Sequence, residues 1–234
     1  YKRQVAIIGD NGSGKTVISK TLIGFYDYTV VLTYISMMIS MYGITLCMDG
    51  HFKRAIVCLA LSGLCDMFDG KIARTKKNRT DEEKCYGIQI DSLCDIVCFG
   101  ILPIVICYKI GITDIIGIVC LMIYGLAGLI RLAFYNVKEQ IRQNETSENR
   151  KYYQGMPITS ISVILPILYM LRPVFPDNMF LIVLKVAVFI TALLFVTNFK
   201  FKKPNNLMLS VLVFVVAMAV IYMFTTHWLM WRMS

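Results

Sequence analysis

The chain has 234 residues, of which 57% are hydrophobic and 17% are charged, and its formal net charge at pH 7 is +9. A soluble domain of this length carries more charge and shorter apolar runs, so the composition argues against a soluble protein. The positive charge falls in loops between apolar runs. Because no nucleic-acid-binding motif accompanies it, we expect no nucleic-acid partner.

Residues 1–22 differ from the rest of the chain. They contain Gly9–Thr16, a full match to the phosphate-binding pattern G-x-x-x-x-G-K-[ST], which resembles the start of an ABC-transporter ATPase domain. Such a loop needs a parallel sheet and a second acidic motif, and by Tyr28 the sequence has entered the membrane. We therefore interpret residues 1–22 as a vestigial or artefactual leader that does not bind ATP. An ATP-binding transporter component is the alternative that this motif leaves open.

Seven apolar runs follow, and each predicts a membrane-spanning helix because helices satisfy their own backbone hydrogen bonds in hydrocarbon. The second run carries two aspartates and the fifth an internal proline. The predicted helices are Tyr28–Met48, Ala55–Ala73, Ser92–Cys107, Ile115–Leu132, Ile158–Leu171, Met179–Val196 and Leu207–Phe224. The fold class predicted from these runs is an all-α, polytopic membrane bundle.

Basic residues are unevenly distributed among the loops between these helices. They are concentrated in or beside residues 71–84, 131–151 and 200–203, and the alternate loops carry far fewer. Loops rich in lysine and arginine usually remain in the cytoplasm. We therefore expect an integral, multi-pass membrane protein with its N-terminus inside and its C-terminus outside.

The segment from Cys65 to Gly100 is the most informative about chemistry. Carboxylates within a membrane are costly and indicate function by default. Two motifs contain them, Asp66-x-x-Asp69-Gly70-x-x-Ala73-Arg74 and Gly87-x-x-x-Asp91-x-x-x-Asp95. On helices, the spacings of three and four residues place each set on one face. With a loop over residues 75–86, the two helices can pack side by side, and the carboxylates then meet near the cytoplasmic surface.

Four carboxylates gathered in this way need counter-charge, which metal cations can supply. Oxygen ligands favour Mg²⁺, Mn²⁺ or Ca²⁺, and two such ions close together suit phosphoryl transfer. Gly70 and Ala73 leave room beside them for a flat ligand such as a nucleotide, although helix contact is the alternative role of small residues. Arg74 offers a planar cation that fits a phosphate group.

This pattern resembles that of the CDP-alcohol phosphatidyltransferase family, D-x-x-D-G-x-x-A-R followed by G-x-x-x-D-x-x-x-D. Every fixed position is present, although the spacer between Arg74 and Gly87 is longer than is usual in the family. The resemblance implies a bundle of six helices, here residues 23–204, that usually pairs into a homodimer. Residues 205–234 then form an additional transmembrane helix.

The resemblance also implies how the reaction proceeds. The four aspartates hold two metal ions, Mg²⁺ or Mn²⁺, and Asp95 is the base that takes the proton of the acceptor hydroxyl. The acceptor oxygen attacks the phosphorus that bears diacylglycerol, and CMP leaves. The residues expected to bind the CDP-lipid are Gly70, Ala73, Arg74, Thr80 and Gly87.

Three segments resemble the phosphatidylserine synthase branch of this family, namely Gly24–Thr29, Arg131–Asn136 and Gly155–Pro157. This branch implies CDP-diacylglycerol as donor and L-serine as acceptor. Arg131 is the candidate partner of the serine carboxylate, and Asn136 is a second candidate for the acceptor pocket. The alternative for Arg131 is an interfacial arginine that extends its charge to water.

Other functions stay open at this point. Glycerol 3-phosphate or inositol phosphate could replace serine, but an acceptor with a phosphate should need more than one basic side chain. Phe134 stands where branch members commonly have a second arginine, which argues mildly against these acceptors. A transporter that uses intramembrane aspartates is the alternative from another class, although the internal repeats common in transporters are not visible.

Overall fold

The computed structural model describes residues 24, 28–73, 80–145, 152–202, 210–211 and 213–222. In this part of the chain the protein is a bundle of α-helices, which confirms the all-α membrane fold. Its helices are α1 Tyr28–Met48, α2 Phe52–Ala73, α3 Asp81–Asp95, α4 Leu102–Ile110, α5 Ile115–Glu145, α6 Ile161–Met170, α7 Asp177–Val196 and α8 Val213–Tyr222. A π-helical segment, Ile96–Ile101, joins α3 to α4, and short 3₁₀ turns flank α6. The predicted division into residues 1–22, 23–204 and 205–234 stays a prediction, and residues 1–22 lie outside the described part.

Four helical stretches are long and apolar enough to cross a membrane, and they are Val30–Met48, Asp81–Ile110, Ile115–Ile141 and Asp177–Val196. α2 has 22 residues, which is a spanning length, but its charged side chains make it less apolar. Two shorter apolar helices occupy Ile158–Val174 and Val213–Tyr222. Each predicted span therefore contains a helix, and the chain is an integral membrane protein.

The predicted helices were too short where the observed helices extend beyond the apolar runs. The third helix begins at Asp81 rather than Ser92, so the loop expected over residues 75–86 ends earlier, and the fourth helix continues to Glu145 rather than Leu132. α3 starts at Asp81 because Thr80 caps it. The Thr80 Oγ1 accepts from the Glu83 N–H at 3.2 Å, and the Glu83 Oε2 accepts from the Thr80 N–H at 3.0 Å.

α1 and α2 pack closely along a stripe of small polar residues. The Ser36 hydroxyl donates to the Ser62 carbonyl at 3.2 Å, and the Ser62 hydroxyl donates to the Ser36 carbonyl at 3.1 Å. One turn further, the hydroxyls of Ser40 and Ser62 lie 2.7 Å apart. Small side chains allow two backbones to approach, and hydrogen bonds between helices fix their relative rotation.

The π-helical segment follows Asp95 directly and leads to Pro103. At its end the Leu102 N–H donates to the Val97 carbonyl, a bond across five residues. Proline has no N–H, so the Phe99 carbonyl loses the donor that an α-helix would give it at position 103. The buried Tyr124 hydroxyl of α5 donates to this carbonyl instead.

α5 begins at a turn that is fixed from two sides. The Asp114 Oδ2 accepts from the Gly117 N–H at 3.3 Å, and the Asp114 Oδ1 lies 2.7 Å from Nζ of Lys185 on α7. The hydrogen bond from Lys185 holds the pKa of the Asp114 carboxyl below its usual value of 3.8. α5 and α7 are thereby tied together at this end of the bundle.

A short antiparallel ribbon ties the loop before α6 to the segment after α7, and the sequence had not predicted it. β1 Tyr152–Gln154 pairs with β2 Lys200–Lys202. The pairing continues through two further backbone bonds, from the Gly155 N–H to the Phe199 carbonyl at 2.7 Å and from the Met156 N–H to the Leu194 carbonyl at 3.1 Å. It fixes the entry of α6 against the end of α7.

Candidate active site

The second half of α2 and the length of α3 bring the aspartates of the two motifs together. One carboxylate oxygen from each of Asp66, Asp91 and Asp95 lies within 4.8 Å of the other two. All three residues are partly buried. The structure thus gathers three of the four residues predicted to hold metal, and their role as ligands stays a prediction.

Asp69 lies beside this cluster, on the same face of α2 as Asp66. Its side chain is buried and adjoins that of Asp91. Its Oδ2 also accepts a hydrogen bond, at 3.2 Å, from the Thr33 hydroxyl of α1. The sequence motifs had not indicated any contribution of α1 to this site.

The arrangement of α3 follows from its sequence. The capping box at Thr80 sets the start of the helix, and from there Gly87, Asp91 and Asp95 recur every four residues on one face. The helix continues without a break into the π-helical segment after Asp95. These positions therefore share one face of α3 over successive turns, and Asp91 and Asp95 on that face meet Asp66 of α2.

Several carboxylates this close repel one another unless protons or cations lie between them. The clustered donors are all carboxylate oxygens, with no thiolate or imidazole among the three described residues of the cluster. Mg²⁺ and Mn²⁺ prefer such oxygen ligands. The donor set therefore fits the divalent ions that were expected from the sequence.

The space beside the aspartates is open where the sequence had predicted it. Gly70 is exposed, and among the described residues a Cβ atom placed on it would have no heavy atom outside its own helix within 4 Å. Gly87 is half-buried in α3. Ala73 is the last residue of α2, and Arg74 lies outside the described residues. The Thr80 oxygen is engaged in the helix cap, so its predicted contact with the CDP-lipid stays a prediction.

Arg131 lies inside the bundle. It is 6% exposed, its Nη1 donates to the Phe195 carbonyl of α7 at 3.3 Å, and its guanidinium carbon lies 4.5 Å from the centre of the Tyr135 ring. A snorkelling arginine would extend to water instead. The structure therefore favours an internal role for Arg131 over the interfacial alternative.

Gly155 makes room for this arginine. A Cβ atom at position 155 would lie 3.1 Å from Nη1 of Arg131 and 2.7 Å from the Thr197 carbonyl oxygen. The φ angle of Gly155 is also +69°, a region that disfavours residues with a Cβ. The Gly155–Pro157 segment, which the sequence had offered only as a resemblance, thus packs against the candidate acceptor residue.

Asn136 is linked to the aspartate-bearing helix. Its Oδ1 accepts from the hydroxyl of Ser92 at 2.6 Å, and Ser92 directly follows Asp91 in α3. Phe134, on the same helix, is 48% exposed and packs against Tyr135. Of the two acceptor candidates, Asn136 contacts α3 and Arg131 contacts α7.

The chain is similar in sequence to known proteins over most of its described part. The family model described as CDP-alcohol phosphatidyltransferase matches residues 28–197. A CDP-diacylglycerol–serine O-phosphatidyltransferase of Saccharomyces cerevisiae is 32% identical over 152 residues, which are 64% of this chain and 50% of that protein. The enzyme of the same name from Bacillus subtilis is 30% identical over 121 residues, 50% of this chain and 62% of that protein.

An archaetidylserine synthase of Methanothermobacter thermautotrophicus is 30% identical over 128 residues, 54% of this chain and 51% of that protein. The chain thus spans from about half to about three-fifths of the length of these three relatives.

Proposed function

We propose, because this chain belongs to the CDP-alcohol phosphatidyltransferase family, that it transfers the phosphatidyl group of CDP-diacylglycerol to the hydroxyl of L-serine. The products are phosphatidylserine and CMP. The observation that carries this proposal is the cluster of Asp66, Asp91 and Asp95, whose oxygens lie within 4.8 Å of one another on the two motif-bearing helices. The names of the three relatives support serine as the acceptor.

In this mechanism the four aspartates hold two divalent ions, Mg²⁺ or Mn²⁺. Such ions neutralise charge that develops on the transferring phosphate and its leaving group. Asp66, Asp69 and Asp91 serve only as ligands, whereas Asp95 also accepts the proton of the serine hydroxyl. A base must lie within hydrogen-bonding reach of that hydroxyl, so serine has to enter beside α3.

The donor lipid occupies the open side of the aspartates. The exposed backbone at Gly70 allows the cytidine diphosphate to approach α2 closely. Ala73, Arg74, Thr80 and Gly87 are the other proposed contacts, with Arg74 paired to a phosphate. The acyl chains then extend into the surrounding lipid.

Serine brings a carboxylate and an ammonium group to the site. We assign the carboxylate to Arg131, because this guanidinium lies inside the bundle and a planar guanidinium pairs well with a carboxylate. Asn136 contributes an amide held by Ser92. Both residues belong to α5, which packs against the π-helical segment that follows Asp95.

The site is proposed to face the cytoplasm. α2 ends and α3 begins on the side of the bundle that carries the basic segment at residues 71–84. Basic loops are usually cytoplasmic, and soluble serine would reach the aspartates from that side. The homodimer that the family resemblance implies belongs to the same proposal.

The test is CMP release from CDP-diacylglycerol by the detergent-purified full chain. L-serine, glycerol 3-phosphate and inositol phosphate are compared as acceptors, each with Mn²⁺, Mg²⁺ and excess chelator. Release that requires both serine and metal is the expected result. Release with a different acceptor would overturn the serine assignment, and no release with any acceptor would overturn the proposed reaction.

A further inference from the structure

Thr33 of α1 lies outside both aspartate motifs, yet its hydroxyl contacts one of the four aspartates. The Thr33 Oγ1 donates to Oδ2 of Asp69 at 3.2 Å. The two side chains are 5% and 7% exposed. We infer that Thr33 is a positioning residue, which holds the Asp69 carboxylate in the orientation needed to bind a divalent cation. This inference rests on the proposed function, since the cation belongs to the proposed mechanism.

The hydrogen bond orients the Asp69 carboxylate. The hydroxyl of Thr33 donates and the Asp69 Oδ2 accepts, so this oxygen is held toward α1. Without this donor, the carboxylate could rotate about its own side chain in response to the adjacent Asp91.

The position of Thr33 is itself fixed by other contacts of α1. The paired serine bonds between Ser36 and Ser62 hold α1 to α2 one turn away from Thr33. On the next residue, the Tyr34 hydroxyl lies 3.1 Å from that of Tyr86 on α3. α1 is thus anchored to both aspartate-bearing helices, and its threonine cannot move away without breaking these contacts.

The size of the expected effect follows from other metal sites. Hydrogen-bond partners of metal ligands typically change metal affinity by about 10- to 100-fold when they are removed. Asp69 has a buried neutral donor and a neighbouring carboxylate. Loss of the donor should therefore weaken cation binding more than it changes the fold.

The experiment compares Thr33→Val, which keeps the shape and removes the hydroxyl, with Thr33→Ser, which keeps the hydroxyl. Thr45→Val is the matched control, because Thr45 is also on α1 but its hydroxyl donates to the Tyr42 carbonyl of its own helix. Mn²⁺ binding to each purified full chain is measured without substrate, by electron paramagnetic resonance. CMP release is measured separately as a function of Mn²⁺ concentration.

Thr33→Val should raise the Mn²⁺ dissociation constant by about tenfold or more, while Thr33→Ser and Thr45→Val stay close to the parent chain. In an Asp69→Asn background, Thr33→Val should have no further effect, since both changes act on one ligand. Unchanged Mn²⁺ binding by Thr33→Val would overturn the inference. A loss that Thr33→Ser does not rescue, or that Thr33→Val adds to Asp69→Asn, would also overturn it.

The binding measurement separates this inference from the proposed reaction. Mn²⁺ binding that depends on the Thr33 hydroxyl, in a chain that releases no CMP with any acceptor, would support the positioning role and refute the transferase. CMP release by Thr33→Val with an unaltered dependence on metal concentration would support the transferase and refute the positioning role. A parent chain that binds no Mn²⁺ would refute the positioning role.

Discussion

A Tyr124→Phe variant should lose more stability than the removal of one oxygen suggests. The Tyr124 hydroxyl donates to the Phe99 carbonyl, and both residues are at most 1% exposed. Pro103 cannot replace this donor because it has no N–H. The variant therefore removes the side-chain donor of a carbonyl that belongs to a fully buried residue.

Two ranges of measured free energies bracket the stability that Tyr124→Phe is expected to lose. A buried acceptor without a partner costs about 1–3 kcal/mol. Hydrogen bonds between helices of a membrane protein contribute about 0.6 kcal/mol on average and at most about 1.7 kcal/mol. These values are small because the polar groups of the unfolded chain often find other partners. The Phe99 carbonyl has no backbone donor at position 103. We therefore expect Tyr124→Phe to lower the free energy of unfolding by about 1.5 kcal/mol, which lies in the upper part of the second range.

The assay is reversible unfolding of the detergent-purified protein in micelles with an increasing fraction of sodium dodecyl sulfate. Tyr42→Phe is the control, since Tyr42 is 62% exposed. The unfolding constant of Tyr124→Phe should rise by about tenfold relative to that control. Equal stabilities of the two variants would refute the role of the hydroxyl.

Pro103→Ala provides the sharper test, because it returns the backbone N–H that an α-helix would direct to the Phe99 carbonyl. In that background, Tyr124→Phe should cost clearly less than it does in the parent chain. The same cost in both backgrounds would show that proline does not create the need for the tyrosine.

Three further outcomes test the site. Asp95→Asn should reduce the rate of CMP release by at least about 100-fold and leave the unfolding transition without metal intact; near-normal turnover would exclude the base role. Arg131→Ala should raise the half-saturating concentration of serine more than that of CDP-diacylglycerol, and equal changes would place Arg131 outside the acceptor pocket. Gly155→Ala should destabilise the protein more than Gly50→Ala, because both glycines have positive φ but only a Cβ at position 155 would meet neighbouring atoms. Similar unfolding midpoints for these two variants would show that the close contact with Thr197 and Arg131 is unimportant.

The helices could be predicted where they are apolar. Long hydrophobic runs located each membrane span, but the polar first turns of α3 carried no hydropathy signal. The threonine and glutamate at positions 80 and 83 were the available sign, since they match a helix capping box. Hydropathy therefore located the spans within the membrane and missed their extensions beyond it.

The aspartate cluster could also be predicted, because spacings of three and four residues translate directly into one helical face. Thr33 could not, because a neutral threonine in an apolar helix looks like packing, and its partner lies 36 residues away. That contact depends on how α1 is rotated against α2, which small polar residues decide. Gly155 was visible as a motif, but its contact with Arg131 depends on the pairing of β1 and β2.

The order of the helices has a consequence for how the protein is made. Asp66 and Asp95 belong to consecutive helices, so all four carboxylates are synthesised before α5. Arg131, Gly155 and the Phe195 carbonyl follow later, and they meet only when α7 and the ribbon are in place. On the proposed assignment, metal binding and acceptor choice are encoded in successive stretches of the chain. Substitutions in the later stretch can alter which alcohol is used and leave the carboxylates of the earlier one unchanged.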